Sequence, residues 1–147
     1  MPVSLVIFES HLETIDKHAW EKLWKMIPVI EQTKQFGTWE GMSCIGSGIQ
    51  MPYFVAGPLI EEFVDLVEDM QLLVDYDWTS WKLGRYAVEH LEFHEGDFDI
   101  VDLCKLITMI LRSNRFKEGL TGACFEKGLM VQILKSLKAE VETRGWA

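Results

Sequence analysis

Residues 100–111, with the sequence IVDLCKLITMIL, decide the fold of this 147-residue chain. Nine of these twelve residues are apolar, and they fall on all sides of a helix with about 3.6 residues per turn. A helix that is apolar nearly all round usually lies buried at the centre of a domain. We therefore predict a central helix here, ended by Ser113 and Asn114, with the other elements packed around it.

Two helices on the N-terminal side are indicated by apolar residues at helical spacing. The first pattern covers residues 12–27 and follows residues 10–13 (SHLE), which form a capping-box motif with Ser10 as the N-cap. Pro28 is expected to end or kink this helix near Met26, because proline lacks a backbone N–H, and a short helical extension through Gln32 is also compatible with the sequence. Pro58 suits the first turn of the second helix.

The remaining elements complete a mainly α prediction. Thr79 or Ser80 is expected to cap a third helix, and two shorter patterns on either side of Gly128 predict the last two. Residues 36–41 and 46–53 are rich in glycine, aromatic and β-branched residues, which predicts two short strands joined by a turn. The expected fold is a single compact helical domain over residues 1–147, with about six helices and a small β-hairpin-like element near residues 37–55.

Composition and charge limit the classes of function. Apolar residues make up 48% of the chain, but no run approaches the length of a membrane span, and the apolar stretch near the N-terminus is too short for a signal peptide. Three widely spaced cysteines suit reduced thiols, so we expect a cytoplasmic protein. The net charge of −9 argues against nucleic-acid binding.

The charge is also unevenly divided along the sequence. Residues 35–100 hold 13 acidic residues against two basic ones, whereas residues 101–147 hold eight basic residues against five acidic ones. Opposite charges on two parts of one surface favour self-association, so a homodimer or another protein partner is possible.

Four short motifs resemble a bacterial family that is described only as a domain of unknown function. They are residues 50–53 (QMPY), 75–78 (DYDW), 112–119 (RSNRFKEG) and 125–129 (FEKGL). The resemblance extends over roughly residues 25–140. It implies a helical domain, and it implies no activity, cofactor or catalytic residue.

A polar corner after the central helix is the strongest candidate site. Arg112 and Arg115 are spaced so that their guanidinium groups could hold an anion, with Glu118 beside them. We expect two loops to approach this corner. The predicted ligand-binding set is Tyr53, Asp75, Asp77, Trp78, Arg112, Arg115 and Glu118. The alternative is a structural network in which these charges pair with one another, and that interpretation is favoured.

A metal site is a weaker candidate. His90 and His94 would share one face of a continuous helix, which is a spacing that suits zinc. The pattern is not H-E-x-x-H, however, and Gly96 should end the helix close by. Residues 46–48 (GSG) lack the Gly-Lys-Ser/Thr ending of a phosphate loop, so no cofactor is predicted.

Three functions are compatible with these features. The favoured one is a small cytoplasmic interaction or regulatory protein without catalysis. The second is a small-ligand binder or an enzyme built on the polar corner, with Asp77 or Glu118 as a general acid or base whose pKa burial would raise. The third is nucleic-acid binding by the final helices, which the net charge disfavours.

Overall fold

A computed structural model describes residues 5–41, 44–45, 48–49, 52–94, 96–114, 117 and 119–146. This part of the chain holds seven α-helices, one short 3-10 helix and four strands in one compact domain. The elements are α1 (Leu5–Glu13), α2 (Lys17–Gln32), β1 (Gly37–Glu40), β2 (Cys44–Ile45), β3 (Gly48–Ile49), β4 (Tyr53–Ala56), α3 (Pro58–Asp69), the 3-10 helix (Trp78–Ser80), α4 (Lys82–His90), α5 (Ile100–Ser113), α6 (Leu120–Glu126) and α7 (Leu129–Thr143).

Helix α5 is the central helix, as predicted. Nine of its residues are buried, and it packs against α1, α4, α6 and α7. Its start is fixed by a capping box: the Asp99 carboxylate accepts a hydrogen bond from Asp102 N at 2.8 Å, and the Asp102 carboxylate accepts one from Asp99 N. These contacts satisfy backbone donors that would otherwise be unpaired at the helix start.

The N-terminal helices differ from the prediction. Helix α1 runs through Ser10, so Ser10 is not an N-cap, and Asp16 caps α2 by accepting a hydrogen bond from His18 N at 3.2 Å. Burial explains this, because Phe8 and Leu12 lie one helical turn apart and both pack into the core. The extra helix raises the count from about six to seven.

Pro28 does not end α2, which continues to Gln32. Ile27 and Ile30 are both buried and hold the two halves of the helix against the core. Packing of this kind offsets the loss of one backbone hydrogen bond at the proline.

The β element lies where it was predicted, although its second long strand starts later. Strand β1 pairs with β4 in antiparallel register, with Gly37 opposite Ala56, and β2 pairs with β3. The predicted turn residues Gly46 and Ser47 lie outside the described residues. Phe54 of β4 packs so closely on Gly122 of α6 that a Cβ at that glycine would lie 2.6 Å from the ring.

The predicted caps of the third surrounding helix, Thr79 and Ser80, lie instead in the 3-10 helix. Both hydroxyls donate hydrogen bonds to the Asp77 carboxylate, and α4 begins only after Trp81. Trp81 covers Gly84, which leaves no room for a side chain there. The aromatic ring therefore determines where the helix starts, in place of a polar cap.

Across the described ranges, no helix has the length and apolar character needed to cross a membrane.

Candidate functional site

A cleft of about 620 Å³ opens between α3, the end of α5, β4 and the start of α6. Its volume lies within the range of about 300 to 1,000 Å³ that is typical of small-molecule sites. The lining residues are Phe54, Ala56, Ile60, Glu61, Val64, Asp65, Glu68, Leu73, Leu111, Arg112, Asn114 and Thr121.

One wall of the cleft is apolar. A buried threonine fixes the position of the segment that contributes Leu73 to this wall. Thr108 of α5 accepts a hydrogen bond from Val74 N at 2.8 Å and donates one to the Cys104 carbonyl oxygen at 2.9 Å. This contact ties the segment after α3 to the central helix. It therefore places the neighbouring Leu73 in the cleft, beside Leu111.

Helix α3 supplies all three carboxylates of the cleft. Glu61, Asp65 and Glu68 are four and three residues apart, so they follow one face of the helix. None of them forms an ion pair with a described residue, and α3 contains no basic residue that could pair with them. The three side chains are exposed, and no described basic side chain compensates their charge.

The opposite charge comes from a different element. Arg112 lies in the last turn of α5, and it also lacks an ion pair with any described residue. Asn114 lies two residues later, and its side-chain amide oxygen Oδ1 accepts a hydrogen bond from Thr121 N at 3.2 Å. Three carboxylates against one guanidinium leave the lining of the cleft with a net negative charge.

In the described ranges, no group of three His, Cys, Asp or Glu residues converges closely enough to hold a metal ion. Helix α4 ends at His90 and the next residue, Leu91, is left-handed, so the continuous helix that would join His90 to His94 is absent. His90 Nδ1 donates a hydrogen bond to the Tyr86 carbonyl oxygen, and its ring stacks on Tyr86.

The residues predicted as a ligand site do not all meet at one place. Arg112 lines the main cleft, whereas Trp78 lines a second cavity of about 180 Å³, together with Ser113 and Lys117. Tyr53 is exposed on β4, where its hydroxyl donates to the Glu40 carboxylate at 3.4 Å. Asp75 is also exposed. Of the same set, Arg115 and Glu118 lie outside the described residues.

Asp77 lacks the property that a general acid requires. Hydrogen bonds from the Thr79 and Ser80 hydroxyls lower the pKa of the Asp77 carboxyl, whereas a general acid at neutral pH needs a raised pKa. Its role in the structure is to cap the 3-10 helix.

Sequence reasoning missed the carboxylates of the cleft. The signal was present as five acidic residues with no basic residue in α3, a pattern that is also typical of a solvated helix face. The packing of α3 separates them, because Glu61 and Glu68 line the cleft while Glu62 and Asp69 line a groove beside α2.

The two cysteines whose side chains are described are not nucleophiles. Burial raises the pKa of Cys124 to about 12 and also raises the pKa of Cys104, so both remain protonated thiols at neutral pH. They are small core residues, as their positions in apolar helical patterns predicted.

Comparison with known proteins gives a family but no activity. Neither the curated proteins nor the solved structures contain a match to this sequence. A model of a family of unknown function, DUF6508, matches residues 15–143, which confirms the resemblance to an uncharacterised family. The chain therefore belongs to the family of unknown function DUF6508.

Proposed function

We propose that this protein binds a small organic cation in the cleft between α3 and the end of α5. The observation that carries the proposal is the row of Glu61, Asp65 and Glu68, which are without ion-pair partners among the described residues and line a cleft of about 620 Å³. An ammonium group would offset part of the negative charge of this row. The apolar wall would cover the hydrocarbon part of the same molecule.

An organic cation fits the cleft better than a bare metal ion. The carboxylates are spread along almost two turns of α3, and they do not converge on one point. Because they are exposed, each ammonium–carboxylate contact contributes only about 0.2 to 1 kcal/mol, and salt weakens it. We therefore expect modest affinity that falls as the ionic strength rises.

Removing two of these charges should weaken the binding of an alkylamine. In Glu61→Gln/Glu68→Gln, we expect the dissociation constant of n-hexylamine to rise about fivefold or more, since only one of the three carboxylates remains to attract the ammonium group. Isothermal titration calorimetry at low salt measures this change directly.

The matched control is Glu62→Gln/Asp69→Asn, which removes the same two charges from the same helix outside the cleft. This control should bind n-hexylamine like the unchanged protein. An equal loss of affinity in both variants, or no binding to the unchanged protein, would contradict the proposal.

A second candidate function is self-association through α4. Leu83 and Tyr86 are 52% and 58% exposed and lie one turn apart on this helix. Arg85 and Glu89 form an ion pair at 3.6 Å, but they line a different cavity from Leu83 and Tyr86 and lie on another side of α4. The proposed contact is therefore the apolar face of α4, which two copies could cover by packing in antiparallel orientation.

Sedimentation velocity tests the α4 dimer. At about 100 μM, a concentration high enough to populate a weak dimer, we expect the unchanged protein to be dimeric and Leu83→Asp to be monomeric. Ile7→Asp is the control, because Ile7 is an equally exposed apolar residue on α1. A monomeric unchanged protein, or equal effects of the two variants, would rule out this dimer.

A further inference from the structure

We infer that the ligand of the cleft carries a carboxylate as well as an ammonium group, with a short hydrocarbon chain between them. The inference rests on the proposed function and adds the chemical class of the ligand, which is an ω-amino acid. The evidence for the carboxylate comes from the end of the cleft formed by α5 and α6. A simple amine would make no contact that needs the residues at this end.

Arg112 is the group that would hold the carboxylate. The guanidinium shares the cleft with three carboxylates of α3, yet it lies within 4.0 Å of none of them. Its planar N–H groups suit two parallel hydrogen bonds to a carboxylate, which is a stronger contact than a simple charge pair. Arg112 is exposed and has no ion-pair partner among the described residues, so a ligand in the cleft can reach these donors.

Asn114 adds a second donor beside Arg112. Its side-chain oxygen Oδ1 already accepts the hydrogen bond from Thr121 N, so the NH₂ group of the same amide is the part that remains for a ligand. Thr121 is held in turn, because its hydroxyl donates to the Ile110 carbonyl oxygen at 3.4 Å. The α5–α6 end of the cleft therefore presents hydrogen-bond donors, whereas α3 presents acceptors.

The distribution of charge sets the shape of the ligand. Donors come from residues 112–114 and acceptors come from α3, while Phe54, Val64 and Leu111 supply apolar surface to the same cleft. A ligand that uses all three surfaces has an ammonium group at one end and a carboxylate at the other. Its intervening methylene groups would lie against the apolar residues.

Three six-carbon probes separate these contributions: n-hexylamine, hexanoate and 6-aminohexanoate. Calorimetry should show 6-aminohexanoate binding about tenfold more tightly than n-hexylamine, because the charge-assisted hydrogen bonds to Arg112 are added. Hexanoate should bind most weakly, since the negative cleft repels it. In Arg112→Gln, 6-aminohexanoate should lose its advantage while n-hexylamine binds at least as well as before.

Lys117→Gln is the control, because it removes one positive charge from the second cavity, outside the cleft. It should leave the tenfold preference unchanged. The inference is overturned if 6-aminohexanoate binds no better than n-hexylamine to the unchanged protein, a comparison that needs no variant to fold. If n-hexylamine alone binds, and binding depends on Glu61 and Glu68, only this inference fails. If neither amine binds, the proposed function fails with it.

Discussion

Ile107→Ala should lower the free energy of unfolding by about 2 to 5 kcal/mol. Ile107 is fully buried in α5, the helix against which α1, α4, α6 and α7 pack. Truncation removes apolar contacts and leaves a cavity that the surrounding helices fill only in part. Urea denaturation followed by circular dichroism measures the change.

An exposed isoleucine outside the α4 face provides the comparison for this stability test. Ile7→Ala changes a side chain that is 62% exposed, so we expect a change of no more than about 0.5 kcal/mol. If the alanine variant of Ile107 were as stable as that of Ile7, α5 would not be the centre of the core.

Glu61→Lys/Glu68→Lys should reverse the ligand preference of the cleft. The substitutions change the lining from three carboxylates and one guanidinium to one carboxylate and three cations. Binding of n-hexylamine should become undetectable, and hexanoate should bind instead, because the sign of the local charge has changed. Calorimetry with the two probes gives both results in one experiment.

A second double variant shows whether the position of the introduced charges, or only their number, reverses the ligand preference. Glu62→Lys/Asp69→Lys makes the same change in net charge on the face of α3 beside α2. This variant should keep its preference for n-hexylamine. If it also came to prefer hexanoate, the effect would come from the charge of the whole protein and would assign no role to the cleft.

The fold could largely be predicted because the apolar pattern of the central helix is visible in the sequence before its neighbours are known. Apolar residues on every side of α5 require surrounding helices, and prolines and glycines mark where several of those helices begin. The errors concern the first residues of helices, whose positions are determined by tertiary packing. Ser10 has a typical capping motif, yet burial of Phe8 and Leu12 extends α1 through it.

The candidate site was less accessible to sequence reasoning. Arg112 was recognised from its position at the end of the central helix, and it does line the cleft. Glu61 and Glu68 were not recognised, because a row of acidic residues on a helix is the same in sequence whether it faces open solvent or a cleft. Only the tertiary structure, in which α3 packs against α2 and β4, distinguishes Glu61 from its neighbour Glu62.

The most direct test of the central claim is a titration of the ¹⁵N-labelled protein with n-hexylamine, followed by ¹H–¹⁵N correlation spectra. Binding in the cleft predicts saturable shifts of backbone amides in the segments that carry its lining residues, which are residues 60–68, 111–114 and 121. Little change should occur in α4 or in the N-terminal half of α2. Shifts centred on those elements, or no saturable shifts at all, would contradict the claim that this cleft binds an organic cation.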